Sequence, residues 1–197
     1  MFKQFLKSFS PGQKVEPVPP KSEITFTVYR VRRPDGLDGF VDILALLPPE
    51  IFTKRGIGYD SIVGHWTEFV AEGDEMPAAT FRPNKAFVAL LHDVVAINAP
   101  LVPELQTAAR KQHKGWLYIL DARTPTPDGE VPLRDIIGAF EVREGAMVPD
   151  SYWANPEHLL FSSDGLFQLG STSLQKALLE RVMKASIPSA EAGSRSE

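Results

Sequence analysis

Between residues 115 and 169, apolar runs are separated by acid–glycine pairs, and this alternation restricts the fold more than any other part of the chain. The runs cover 116–120, 136–148 and 158–169, and the pairs are Asp128-Gly129, Glu144-Gly145 and Asp164-Gly165. Glycine accepts the positive φ that tight hairpin turns require. The block therefore predicts an antiparallel meander that supplies the sheet and most of the core.

The flanking segments divide between the two periodicities. Ile24, Phe26 and Val28 alternate with Thr25, Thr27 and Tyr29, a strand with one face toward a core. Residues 40–47 are more apolar and read as its returning, more central partner. Pro48-Pro49-Glu50 opens a short helix that Gly56 closes. Ile62, Val63, Trp66, Phe69 and Val70 have helical spacing, which predicts a helix over 61–71 capped by Asp60 or Ser61. Phe87, Leu90, Leu91, Val94 and Val95 form the stripe of a helix over 84–99, ended by Pro100. A second helix is expected over 102–113, with Arg110, Lys111, His113 and Lys114 gathered at its end and Gly115 closing it. Thr172-Ser-Leu-Gln175 has the capping-box pattern and starts a helix over 172–185, whose inner face is Leu174, Leu178 and Val182. The expected fold is α+β: a mainly antiparallel sheet from 24–47 and 115–169 with helices packed on one face.

Ahead of this domain, Phe2, Phe5, Leu6 and Phe9 fall at i, i+3, i+4 and i+7 and mark a short amphipathic helix over 1–10. A Pro-rich linker follows over 11–22, containing Val15-Glu-Pro-Val-Pro-Pro20. Residues 23–185 form the expected single domain, and 186–197 read as a small, polar, disordered tail.

The chain of 197 residues is long enough to bury a full core without staples. It has no cysteine, so disulfides, thiolate nucleophiles and Cys-based metal sites drop out. The formal charge of -4 gives no support to nucleic-acid binding, which calls for a basic face. No apolar run reaches the ~20 residues of a membrane span, and no signal-length apolar stretch is present. The expected compartment is cytoplasmic.

Candidate chemistry is sparse. Four histidines, at 65, 92, 113 and 158, show no metal-ligand spacing, and no metal or cofactor is expected. Gly56-Ile-Gly58-Tyr-Asp-Ser61 lacks both the third glycine and the preceding strand of a dinucleotide loop. There is no P-loop and no Gly-x-Ser-x-Gly. Asp121 and Arg123 follow the strand at 116–120, where a loop stiffened by Pro125, Pro127 and Pro132 can present them, or where they can form a structural ion pair. With His65 and Trp66 they make the candidate ligand-binding set.

The functional expectation is a non-catalytic protein-binding module, such as an adaptor, an immunity-type inhibitor or an accessory subunit. It would dock through Phe2, Phe5, Leu6 and Phe9 or through a sheet face. A protein partner or a homo-oligomer ranks ahead of a membrane surface, and nucleic acid is not expected. The alternative is a small-molecule enzyme or ligand-binding domain with a pocket near the 122–135 loop.

Overall fold

The computed structural model describes residues 26–32, 40–46, 58–68, 75–123 and 131–185. The expected helices over 1–10 and 48–56, the 11–22 linker and the 186–197 tail lie outside these residues. Antiparallel sheets and three α-helices give the α+β class among the described residues. Among the described residues the chain divides into two compact units, one holding those from 26 to 94 together with those from 175 to 185, the other holding Val95–Leu174.

The first unit is built on four antiparallel strands in the order β1 (Thr27–Arg32), β2 (Phe40–Ala45), β3 (Ile62–Trp66), β4 (Phe81–Pro83). Strand β3 stands where the periodicity predicts a helix. Ile62, Val63 and Trp66 are β-formers, and Gly64 between them costs about 1 kcal/mol in a helix. In the sheet Gly64 is required, because a Cβ there would meet the Phe81 ring and lie 2.5 Å from the Arg82 carbonyl oxygen. Trp66 packs edge-on against Phe81 with ring centroids 5.0 Å apart. Its indole N–H donates to the Pro77 carbonyl at 3.1 Å. Helical spacing here reflects a bulged strand pairing, with the β2–β3 register shifting between Leu44 and Ala45.

Asn84 joins this sheet to the helix that follows. Its amide nitrogen donates to the carbonyls of Tyr59 (2.8 Å) and Ile62 (2.9 Å), and its side-chain oxygen accepts from the Ala86 N–H (3.0 Å). That last bond satisfies one of the unpaired donors at the helix start. Helix α1 (Lys85–Asn98) buries the predicted stripe, with Phe87, Leu91 and Val95 fully enclosed. At the other end of the sequence, α3 (Thr172–Ala185) buries Leu174, Leu178 and Val182 as expected.

In the second unit a 3-10 turn (Ala99–Leu101) leads to α2 (Pro103–Gln112). His113, not Gly115, closes α2: it takes φ 68°, and its N–H returns to the Ala109 carbonyl at 2.9 Å. Gly115 instead opens the next strand at φ 107°.

The meander is then β5 (Gly115–Leu120), β6 (Ile136–Arg143), β7 (Ala146–Met147) and β8 (Trp153–Ala154), with β6 central. A two-stranded hairpin of β9 (Phe161–Ser162) and β10 (Gly165–Leu166) follows. The Glu144-Gly145 turn joins β6 to β7 with φ 51° and 78°. The strands from 24–47 and 115–169 thus belong to separate sheets, because β3 and β4 complete the first sheet in place of the expected helix.

Candidate functional site

Where β5 ends, the chain turns four ionisable side chains inward. The Asp121 N–H donates to the Asp135 carbonyl (2.8 Å), and Asp121 bridges to Leu169. Its Oδ1 accepts from the N–H groups of Arg123 (3.0 Å) and Gln168 (2.9 Å). Its Oδ2 meets His158 Nε2 at 3.0 Å and Arg123 Nε at 3.4 Å. A carboxylate can only accept, so Nε2 carries the hydrogen of that bond. The His158 ring stands edge-on to Phe167.

Arg123 is the hub. It donates to Asp135 Oδ1 through Nη2 (3.0 Å) and Nε (3.3 Å). Nη2 also reaches the Leu159 carbonyl at 2.6 Å, and Nη1 the Gly165 carbonyl at 2.9 Å. One guanidinium thereby joins the β5 end, the start of β6 and the β9–β10 hairpin. The side chains of Arg123, Asp121, Asp135 and His158 are 1, 0, 0 and 2% exposed. Asp135 Oδ2 is buried with no hydrogen-bond partner among the described residues. The geometry of this cluster is that of a cross-link: its donors and acceptors face each other and the main chain.

Of the residues singled out from sequence, Asp121 and Arg123 are brought together. His65 and Trp66 lie in the other unit, His65 exposed on β3 and Trp66 within the core at 2% exposure. Phe2, Phe5, Leu6 and Phe9, like residues 124–130 of the Pro-rich loop, lie outside the described residues. Sequence reasoning missed Asp135, and for His158, one of the four histidines it weighed, it had no spacing that placed it beside Asp121. Arg123 and Asp135 are 12 residues apart and Asp121 and His158 are 37, and no spacing rule joins them. Among the described residues, no group of three or more His, Cys, Asp or Glu is placed to hold a metal ion, and no single helix is long and apolar enough to cross a membrane.

The surface of the second unit offers other features. Ile97, the penultimate residue of α1, and Leu101, closing the 3-10 turn, are 69% and 70% exposed. A depression of about 290 Å³ lies between α2 and the β6–β7 turn, lined by Pro100, Gln106, Ala109, Arg110, Gly145, Ala146 and Met147. None of the lining residues belongs to the described part of the 122–135 loop.

No protein-family model, curated protein or solved structure matches the chain.

Proposed function

We propose that this chain is a non-catalytic protein-binding module of the adaptor, inhibitor or accessory-subunit kind. The observation that carries the reading is the exposure of Ile97 and Leu101, two large aliphatic side chains four residues apart and each about 70% open to water. Fully covering a side chain of this type is worth about 1.5–3 kcal/mol, and neighbouring apolar anchors of this kind are what a partner's pocket takes up. The buried Asp121–Arg123–Asp135–His158 cluster supports the same reading from the other side. Apart from Asp135 Oδ2, its polar groups are engaged with one another and with main-chain carbonyls and N–H groups, the pattern of a scaffold device.

The test compares wild type with the Ile97→Asp/Leu101→Asp double variant as baits. Both sites are exposed, so the variant is expected to keep its melting temperature and to lose the partner that wild type captures, as read by quantitative mass spectrometry. Equal capture by both baits would overturn the reading.

A further inference from the structure

The end of α2 and the β6–β7 turn meet at a point of backbone strain. His113 takes φ 68° and ψ -42°, and the Lys114 N–H returns to the Gln112 carbonyl at 2.8 Å. This is a γ-turn of the uncommon, strained kind. The His113 carbonyl accepts from the Gly145 N–H at 2.8 Å. Glu144, just before Gly145, is the other non-glycine residue with positive φ among the described residues. Gly145 lets the turn come this close, since a Cβ there would lie 3.3 Å from Arg110 Cα and 3.8 Å from His113 Nδ1. Strain of this sort survives only where its surroundings over-determine it, and it gathers at ligand sites.

Gly145 also lines the depression of about 290 Å³, all of whose lining residues belong to the second unit. Ala109 and Met147 are its buried apolar members. Gln106 ties α2 to the other wall, its side-chain amide donating to the Pro100 carbonyl at 2.9 Å. Arg110 is the charged lining residue. The Thr107 hydroxyl donates to the Pro103 carbonyl (2.8 Å) and accepts from Arg110 Nη2 (2.9 Å). One bond thus steers the guanidinium, and its remaining N–H donors have no partner among the described residues. Lys111 and Lys114 add positive charge at this end of α2. On β6, Glu141 is held by Arg143 at 2.6 Å, which leaves Glu144 against the three cations. The negative end of the α2 dipole is blunted, because the carbonyls of Ala109, Gln112 and His113 all accept main-chain N–H groups.

We infer that this depression binds a small carboxylic acid with a short apolar body, the carboxylate on Arg110 and the body over Ala109 and Met147. A planar guanidinium fork matches a carboxylate, and the apolar lining gives a bare anion nothing to cover. The volume lies just below the ordinary range for small-molecule sites of about 300–1,000 Å³, which selects a short ligand. The site is separate from the proposed partner surface, since neither Ile97 nor Leu101 lines it.

Hexanoate is the probe, with hexanol, hexylamine and inorganic phosphate as comparisons, titrated into full-length chain carrying 15N amides and 13C-methyl methionine. Hexanoate is expected to move the Met147 methyl and the Arg110, Gly145 and Ala146 amides along one saturating curve. Hexanol should bind about tenfold more weakly, the usual scale for losing a hydrogen bond to a charged group, and hexylamine and phosphate should leave Met147 unmoved. Arg110→Gln should bring hexanoate down to the level of hexanol. Ala146→Leu should block both by filling the depression. Arg110 and Ala146 are exposed, so both variants are expected to keep the wild-type spectrum elsewhere. Hexanoate and hexanol binding equally would overturn the inference, as would phosphate reproducing the hexanoate shifts, or saturable shifts that spare Met147. If Ala146→Leu fails to fold, Arg110→Gln decides alone: hexanoate affinity unchanged in that variant sinks the assignment.

Discussion

Tyr152 packs its ring on Phe140 with centroids 5.0 Å apart, and burial pushes its hydroxyl well above the ordinary tyrosine value of 10.0. The cause is desolvation, which penalises the phenolate and leaves the neutral phenol in place. The folded chain therefore binds this proton more tightly than the unfolded chain. The contribution to stability is complete below pH 10 and declines as pH rises beyond it, because the unfolded state then releases a proton that the native state keeps. Urea unfolding of wild type between pH 9 and 11.5 should show stability falling with pH, and Tyr152→Phe should flatten that slope. Tyr118, raised by the same cause, supplies a residual slope. An unchanged slope in Tyr152→Phe would refute the assignment. The Asp121–Arg123–Asp135–His158 cluster works at this scale too. Each member touches atoms remote in sequence, which is why Asp121 and Arg123 stood out only as neighbours at a strand end, His158 only as one of four scattered histidines, and Asp135 not at all.

At the scale of elements, the glycines decide where sheets close up. A Cβ on Gly138 would stand 2.6 Å from the Trp153 carbonyl oxygen and 2.6 Å from the Tyr152 hydroxyl. Gly138 pairs with Ala154 across β6 and β8, so the short strand β8 lies directly against a bare backbone. Gly138→Ala should destabilise by about 1–3 kcal/mol, the usual cost of overpacking, read as a lower urea midpoint with an unchanged slope. A midpoint equal to wild type would mean that β8 moves away freely. Gly64 has the same role between β3 and β4, and there the local pattern misled. Spacing of Ile62, Val63 and Trp66 reads as helical, whereas the deciding facts, the Phe81 ring and the Arg82 carbonyl, lie about 17 residues downstream. The helices that were legible, α1, α2 and α3, have their causes within a few residues: an apolar stripe, a proline in the first turn, basic residues near the end. Even so, the closure of α2 by His113 in a left-handed conformation was hidden, since Gly115 offers the lower-cost choice on sequence grounds.

For the whole molecule, the α+β class followed from the two periodicities, and the meander followed from its acid–glycine punctuation. The division of strands among separate sheets did not follow, because it depends on β3 and β4 and hence on one misassigned segment. The candidate site was legible only as its two members nearest in sequence. The exposure of Ile97 and Leu101 was not read at all, since both residues continue an apolar pattern whose burial the sequence does not specify.

The guanidinium of Arg123 also has a bearing on the order of events in folding. Its bonds reach positions 12, 36 and 42 residues away, and those of Asp121 reach 37 and 47. Closing such loops is entropically slower than forming the β6–β7 turn, so this cross-link is expected to form after the rate-limiting step. Interactions absent from the transition state hold back unfolding without hastening folding. Arg123→Met leaves Asp135 buried without its cationic partner and takes from Asp121 one of its two side-chain partners, a loss of about 3–5 kcal/mol. In a chevron that loss should appear on the unfolding arm, with refolding near wild type; a slowed refolding arm with unfolding unchanged would place the cross-link in the nucleus instead. In kinetic terms Arg123 acts as a latch, setting how long the second unit stays folded and leaving the speed of its formation to the hairpins.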